Sequence, residues 1–270
     1  MDGAQLWQTL ILAIVQGITE FLPVSSDGHL VVIGNLLERA FGTTSTEAAR
    51  AQLIIGLHFG TLLATITVYW NELWSLFRRR QLLIAVILGT IPAGVIGVVF
   101  KDWFEETMSS PLFAGIGLCV TAIFLLAGQR MELNLLELDR IPWPHAIAVG
   151  FFQALAILPG VSRSGSTISS GLMIGFTRQT ATTYSFLLSV PAVGGAVLLK
   201  VIDMIKGQSG GLPIGQLFFG AVISFVVGIA VLRLLIRIVT QNKLHWFAYY
   251  CLTVGICVTV WQLWLRMQPT

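Results

Sequence analysis

Glu20-Phe-Leu-Pro-Val-Ser-Ser-Asp-Gly-His29 and Pro159-Gly-Val-Ser-Arg-Ser-Gly-Ser-Thr167 are two short polar stretches in an otherwise apolar chain. Each joins Pro, Gly and hydroxyl residues to ionisable groups, Glu20 and His29 in the first and Arg163 in the second. An ionisable group flanked by membrane-length apolar sequence costs roughly 2.5–3.5 kcal/mol at mid-bilayer on insertion scales, so it marks function by default. Residues 6–37 and 143–176 are each long enough for two passes but are broken in the middle by these motifs. A full span needs about 20 apolar residues, and each broken half falls short of that. Non-helical backbone at membrane depth is tolerated only where it is buried in protein or lines a watery cavity. Both regions therefore read as helix–loop–helix hairpins that dip into the bilayer and carry the polar residues at their tips.

Outside the hairpins, full-length spans are expected at roughly 52–70, 82–100, 111–128, 183–202, 213–239 and 245–265. Of the 270 residues, 55% are hydrophobic and only 11% charged, with a mean hydropathy of +0.82. A soluble domain carries about 25% charged residues. The fold class is an all-α, polytopic membrane protein. The net charge of +3 is small and spread out, so it gives no case for nucleic acid; the bilayer is the first partner. No Lys or Arg precedes Arg39, so the first apolar stretch lacks the basic start of a signal peptide and is expected to belong to the fold. Cys119, Cys251 and Cys257 lie singly in apolar segments with no CxxC spacing and read as structural thiols.

The hairpins look like copies. Gln16-Gly-Ile-Thr-Glu-Phe-Leu-Pro-Val-Ser-Ser-Asp-Gly parallels Gln153-Ala-Leu-Ala-Ile-Leu-Pro-Gly-Val-Ser-Arg-Ser-Gly, with a one-residue shift near the prolines. Ile91-Pro92-Ala93 is echoed by Val190-Pro191-Ala192. One repeat is expected over roughly 1–128 and a second over roughly 143–265, with the site at their interface. Arg78, Arg79 and Arg80 place the 71–81 loop in the cytoplasm, as do Arg233, Arg237 and Lys243 near 240. Counting spans then leaves the 38–51 and 101–110 loops outside, the latter with Asp102, Glu105 and Glu106, and the 129–142 and 178 regions inside. The hairpins would enter from opposite faces, so the repeats would be inverted. The eight Trp residues lie near span ends and are read as interfacial anchors.

Arg163 presents a planar fork of donors suited to bidentate contact with phosphate oxygens. Ser162, Ser164, Ser166 and Thr167 add donors, and Gly160 and Gly165 let the backbone approach a ligand closely. A helix starting near Ser164–Ser166 would add free N–H groups and a positive dipole end. The structural alternative is Arg163 paired with an acid to lock the hairpin, but the hydroxyls and glycines are surplus to such a pair. In the first loop, Gln16 and Glu20 share a helix face four residues apart. Pro23 breaks that helix, Ser25 and Ser26 follow, and Ser26 and His29 could face one cavity. A carboxylate, a hydroxyl and an imidazole together can bind a metal, activate a nucleophile or shuttle protons. His58 and Gln52 lie in an apolar span and either line the same cavity or join helices. His145 and His245 read as structural, and Lys200 and Asp203 as snorkelling at a span end.

At these residues the chain resembles the undecaprenyl-diphosphate phosphatase family, the bacitracin-resistance proteins of bacterial inner membranes. The resemblance lies in Gln16-x-x-x-Glu20, Phe21-Leu-Pro-Val-Ser-Ser-x-Gly-His29, Pro159-Gly-x-Ser-Arg-Ser-Gly-x-Thr167 and Phe186-Leu-Leu-Ser-Val-Pro191, and runs along nearly the whole length. It implies hydrolysis of undecaprenyl diphosphate to undecaprenyl phosphate and inorganic phosphate, which recycles the lipid carrier of cell-wall synthesis. It also implies an inverted-repeat fold with two re-entrant hairpins, a site open to the outer face, and a divalent cation, Mg or Ca, as cofactor. The residues it carries over are Glu20, Ser25, Ser26, His29, Ser162, Arg163, Ser164 and Thr167, with Gln16 at the start of the first motif. Three positions depart from the usual pattern: Gln16 where many members have Glu, Asp27 where a small hydroxyl residue is usual, and His58 where Gln is common.

On this reading Glu20, Ser26, His29 and Arg163 are catalytic. Ser25, Ser162, Ser164, Gly165, Ser166 and Thr167 hold phosphate, and Glu20, Gln16 and Asp27 are the metal candidates, Asp27 supplying the second carboxylate. Either His29 or Ser26 could be the nucleophile, a serine needing His29 as base and a histidine forming a phosphoramidate. A polyprenyl diphosphate lipid is the expected partner, and a homo-oligomer is left open. Two rivals are a polyprenyl-phosphate flippase or transporter built on the same architecture and an inactive lipid-phosphate-binding member. The acid-phosphatase-like lipid phosphatases fit less well, because their Lys-x6-Arg-Pro element and second histidine are missing here.

Overall fold

The computed structural model describes residues 3–42, 44, 46–100, 103, 110–131, 133–206 and 212–267. Asp102, Glu105 and Glu106 lie outside the described residues. The first hairpin is α1 (Gly3–Thr19) and α2 (Ser26–Phe41). It is followed by α3 (Glu47–Val68), a short α4 (Trp70–Leu76), α5 (Arg80–Val99) and α6 (Pro111–Arg130). The second hairpin is α7 (Trp143–Leu155) and α8 (Arg163–Met173). Three long helices complete the chain: α9 (Arg178–Lys206), α10 (Ile214–Thr240) and α11 (Leu244–Met267). Six helices, α3, α5, α6, α9, α10 and α11, are long and apolar enough to cross a membrane. The protein is an all-α, multi-pass membrane protein.

Three boundaries differ from the sequence expectation, one being the start of α9 at Arg178 rather than near 183, where Thr177 accepts the Thr180 amide at 3.1 Å. The first span begins at Glu47 rather than near 52, because Thr46 caps it by accepting the Ala49 amide at 3.2 Å. The 71–81 segment is not all loop. Trp70, Trp74 and Phe77 recur at helical spacing, with ring centroids 6.2 Å and 5.8 Å apart, and α4 presents them outward. Seven of the eight tryptophans are more than half exposed, as interfacial anchors should be.

Side-chain contacts sort the loops into two ends. Arg79 pairs with Asp139 at 3.0 Å, Gln81 donates to the Ile141 carbonyl, and Gln129 donates to the Asn242 carbonyl. These contacts gather the segments around 79, 129–141 and 242 at one end, the end richest in arginine. At the other end Glu38 pairs with Arg50, and Gln52 accepts the Leu212 amide at 2.7 Å. The first hairpin opens toward the 38–52 end and the second toward the 129–141 end. Pro92 lies in the second long helix after its hairpin, counting α3 as the first, whereas Pro191 lies in the first long helix after its own. The shared Pro-Ala pairs therefore fall at different places in the helix order.

With lipid outside, helix association depends on close packing and interhelical hydrogen bonds rather than on hydrophobic expulsion. A Cβ on Gly60 would fall 2.2 Å from the Ala221 carbonyl oxygen, so α3 and α10 touch backbone to backbone. Ser224 of α10 seals that crossing by donating to the Leu57 carbonyl at 3.0 Å. Gly115 and Gly255 do the same for α6 and α11. These crossings leave the centre for α8, a polar helix that is buried over most of its length. Its hydroxyls survive burial by turning inward: Thr167 donates to the Arg163 carbonyl at 2.8 Å and shares a 2.6 Å contact with Ser185.

Candidate active site

The second tip is built on Thr121 of α6. Its hydroxyl donates to the Gly160 carbonyl at 3.0 Å and accepts the Ser162 amide at 2.8 Å. Gly160 has φ +82, and a Cβ there would stand 2.0 Å from the Ala114 carbonyl oxygen, so the turn lies flat on α6 only as glycine. Ser162 caps α8 by accepting the Gly165 amide at 3.1 Å, and its hydroxyl lies 3.2 Å from that of Ser164. Arg163 thus occupies the first turn of a helix whose dipole favours an anion.

The first tip is held by α11 instead. The Cys251 thiol reaches the Pro23 carbonyl at 3.5 Å, and Tyr250 meets the His29 ring at 2.7 Å. His29 Nδ1 lies 2.7 Å from the Ser25 carbonyl. A carbonyl only accepts, so Nδ1 carries a proton, and in the neutral ring the Tyr250 hydroxyl then donates to Nε2. Both ring nitrogens are thereby engaged. Ser25 caps α2 at φ 67, ψ 102, a strained backbone for an L-residue.

The tips touch. A Cβ on Gly28 would lie 3.4 Å from the Gly160 Cα, and Ser164 donates to the Leu22 carbonyl at 3.3 Å. Across this contact Arg163 Nη2 reaches Glu20 Oε1 at 2.9 Å. Glu20 Oε2 accepts the Ser26 hydroxyl at 2.8 Å and the Gln16 amide at 3.1 Å. The Arg163 guanidinium lies 5.6 Å from the centre of the Phe186 ring, which fixes the plane of its fork. Among the described residues, its Nη1 is buried without an acceptor and the Ser166 hydroxyl is buried without a partner. A phosphoryl oxygen would satisfy both kinds of donor.

Glu20, Ser26, Gln16 and Arg163 form one cluster, with Ser162, Ser164, Gly165, Ser166 and Thr167 on the helix behind it. His29 belongs to the Tyr250 contact instead, and no bond joins it to Glu20. The nearer histidine is His58 of α3, whose Nε2 stands 3.6 Å from Glu20 Oε2 and 3.8 Å from Asp27 Oδ1. Its signal was an ionisable ring in an apolar span. Gln52, weighed beside it, joins α3 to Leu212 instead. Thr121 and Tyr250 carried no signal, being ordinary residues within long helices. Phe186 was visible only as part of its motif.

The donors suit a hard divalent cation. Glu20 and Asp27 offer carboxylate oxygens, and Gln16 Oε1 is fully buried without a partner. Among the described residues no group of three or more His, Cys, Asp or Glu converges to hold a metal alone. Any such ion therefore needs oxygens from the substrate or water.

Residues 9–257 match the sequence pattern of the family described as bacitracin resistance protein BacA. A protein of Rhodopirellula baltica named undecaprenyl-diphosphatase is 43% identical over 261 residues, covering 96% of this chain and 99% of its own. Namesakes from Alkaliphilus metalliredigens and Methanococcus vannielii are 37% and 32% identical, over 95% and 93% of this chain and 98% of their own lengths. A family pattern matched over residues 9–257, and relatives matched over nearly their whole length, place this chain in the bacitracin resistance protein BacA family.

Proposed function

We propose that this protein hydrolyses undecaprenyl diphosphate to undecaprenyl phosphate and inorganic phosphate. The observation that carries the reading is the 2.9 Å contact of Arg163 with Glu20, whose other oxygen accepts the Ser26 hydroxyl. An arginine, a carboxylate and a hydroxyl drawn from two distant segments are the parts that phosphoryl transfer requires. The terminal phosphoryl group sits between Ser26 Oγ and Arg163, with its oxygens on Nη1 and the first turn of α8. Ser26 attacks phosphorus as Glu20 takes its proton, and the bridging P–O bond breaks to release undecaprenyl phosphate. Water then attacks the phosphoserine, freeing inorganic phosphate and returning the serine hydroxyl. Positive charge fixed at Arg163 offsets the charge that develops on the phosphoryl oxygens. Ser26 is favoured over His29 as nucleophile because the Tyr250 hydroxyl occupies the His29 lone pair. A divalent cation, magnesium or calcium, supplies further neutralisation when bound, with Glu20, Asp27 and Gln16 as its oxygen donors.

The two hairpin-plus-three-helix units are inverted repeats, roughly 1–128 and 143–265. The arginine-rich end lies in the cytoplasm of a bacterial inner membrane, and the site opens to the outer face. The test is phosphate release from purified protein in detergent with undecaprenyl diphosphate. Turnover is expected for the native chain, with a loss of about a hundredfold or more for Ser26→Ala, the scale of a lost acid–base or nucleophilic group. A flippase would bind the lipid and release no phosphate.

A further inference from the structure

The hydrolysis scheme leaves His58, at the hairpin contact, idle. Its Nδ1 lies 2.9 Å from the Ile54 carbonyl of its own helix. That oxygen only accepts, so the proton sits on Nδ1, and in the neutral ring the Nε2 lone pair points away from α3. Fixing one ring nitrogen on a backbone carbonyl so that the other is free is how proteins orient a metal-binding histidine. Nε2 stands 3.6 Å from Glu20 Oε2 and 3.8 Å from Asp27 Oδ1, both too long for a hydrogen bond. Two ligand atoms each about 2.1 Å from one ion, at angles of about 110–130°, lie roughly 3.4–3.8 Å apart. That spacing accommodates a shared ion.

Glu20 is the less available carboxylate, because Arg163 holds one oxygen and Ser26 with Gln16 the other. The Asp27 side chain is 41% exposed, and no hydrogen bond ties it down among the described residues. Gln16, with its amide on the same Glu20 oxygen as His58, leaves a fully buried carbonyl oxygen unpartnered beside them.

We infer that His58 Nε2 joins Asp27 Oδ1 as a ligand of the divalent cation, with diphosphate oxygens and water completing its shell. This rests on the cation named in the proposed function but gives it a nitrogen ligand. Sites for calcium and magnesium are built mainly from oxygen ligands, so a nitrogen ligand would set this site apart.

The experiment uses purified full-length protein and Mn2+ alone, followed by electron paramagnetic resonance. Bound Mn2+ should carry a nitrogen hyperfine coupling from one imidazole. His58→Gln should abolish that coupling and weaken Mn2+ binding at least about tenfold, the lower scale for disturbing a metal's ligand set. Asp27→Asn, at an exposed side chain, should weaken binding similarly while keeping the nitrogen coupling, and it covers the case in which His58→Gln fails to fold. Binding with no nitrogen coupling, coupling that persists in His58→Gln, or no Mn2+ binding would overturn the inference. Phosphate release measured in parallel separates the two readings: turnover without nitrogen coupling sinks the ligand assignment alone, and coupling without turnover sinks the hydrolase alone.

Discussion

Ser26 and His29 sit three residues apart on α2, yet the structure gives them different neighbours. Ser26 faces Glu20, while His29 is clasped between the Ser25 carbonyl and Tyr250. If His29 only buttresses the tip, Tyr250→Phe removes one hydrogen bond, worth about 0.5–1.5 kcal/mol. Steady-state kinetics should then register a drop in kcat/KM of less than about tenfold; a drop of a thousandfold would give the imidazole a part in the chemistry. Ser25 offers a second test, since its backbone at φ 67 disfavours any side chain. Ser25→Gly should raise the melting temperature in detergent, recovering part of a strain of about 1–3 kcal/mol, and Ser25→Ala should not. The sequence made Glu20, Ser26 and Arg163 legible because charge and hydroxyl clusters are costly in an oily chain. It hid the Tyr250 clasp, because a tyrosine in a long helix says nothing about which loop it will meet.

At the scale of elements, each tip leans on a long helix from the other half of the chain. Thr121 of α6 holds the second tip, and Tyr250 and Cys251 of α11 hold the first. Hairpin boundaries could be read because Pro and Gly interrupt apolar runs at places where lipid permits no interruption. The clasping helices could not, since their apolar patterns are alike and partner choice lies in glycine-sized gaps. Gly160 is the sharpest such gap. Gly160→Ala sets a Cβ 2.0 Å from the Ala114 carbonyl oxygen at a φ of +82, so both melting temperature and phosphate release should fall steeply. Gly34→Ala in α2 meets nothing within 4 Å and should be neutral or stabilising by up to about 1 kcal/mol. Equal behaviour of the two variants would deny that the second tip is seated on α6.

For the whole molecule, the arginine-rich end gathers the segments near 79, 140 and 242, and the opposite end holds 38–52 and 212. The basic loops announced this arrangement in the sequence, although the acidic 101–110 segment lies outside the described residues. In a background with Cys119, Cys251 and Cys257 replaced, Thr44→Cys on intact cells should react with a membrane-impermeant maleimide. Asn242→Cys should react only after permeabilisation, and the reverse pattern would invert the proposed orientation. The convergence of residues 20 and 163, so far apart in the chain, is the feature on which the proposed catalysis rests. It is tested most directly by a double-mutant cycle on kcat/KM for phosphate release, using Glu20→Gln, Arg163→Ala and the pair. Residues that act as one unit are strongly non-additive, so the double variant should be about as impaired as the worse single variant. Losses that multiply, as for independent positions, would contradict a single site shared by the two hairpins.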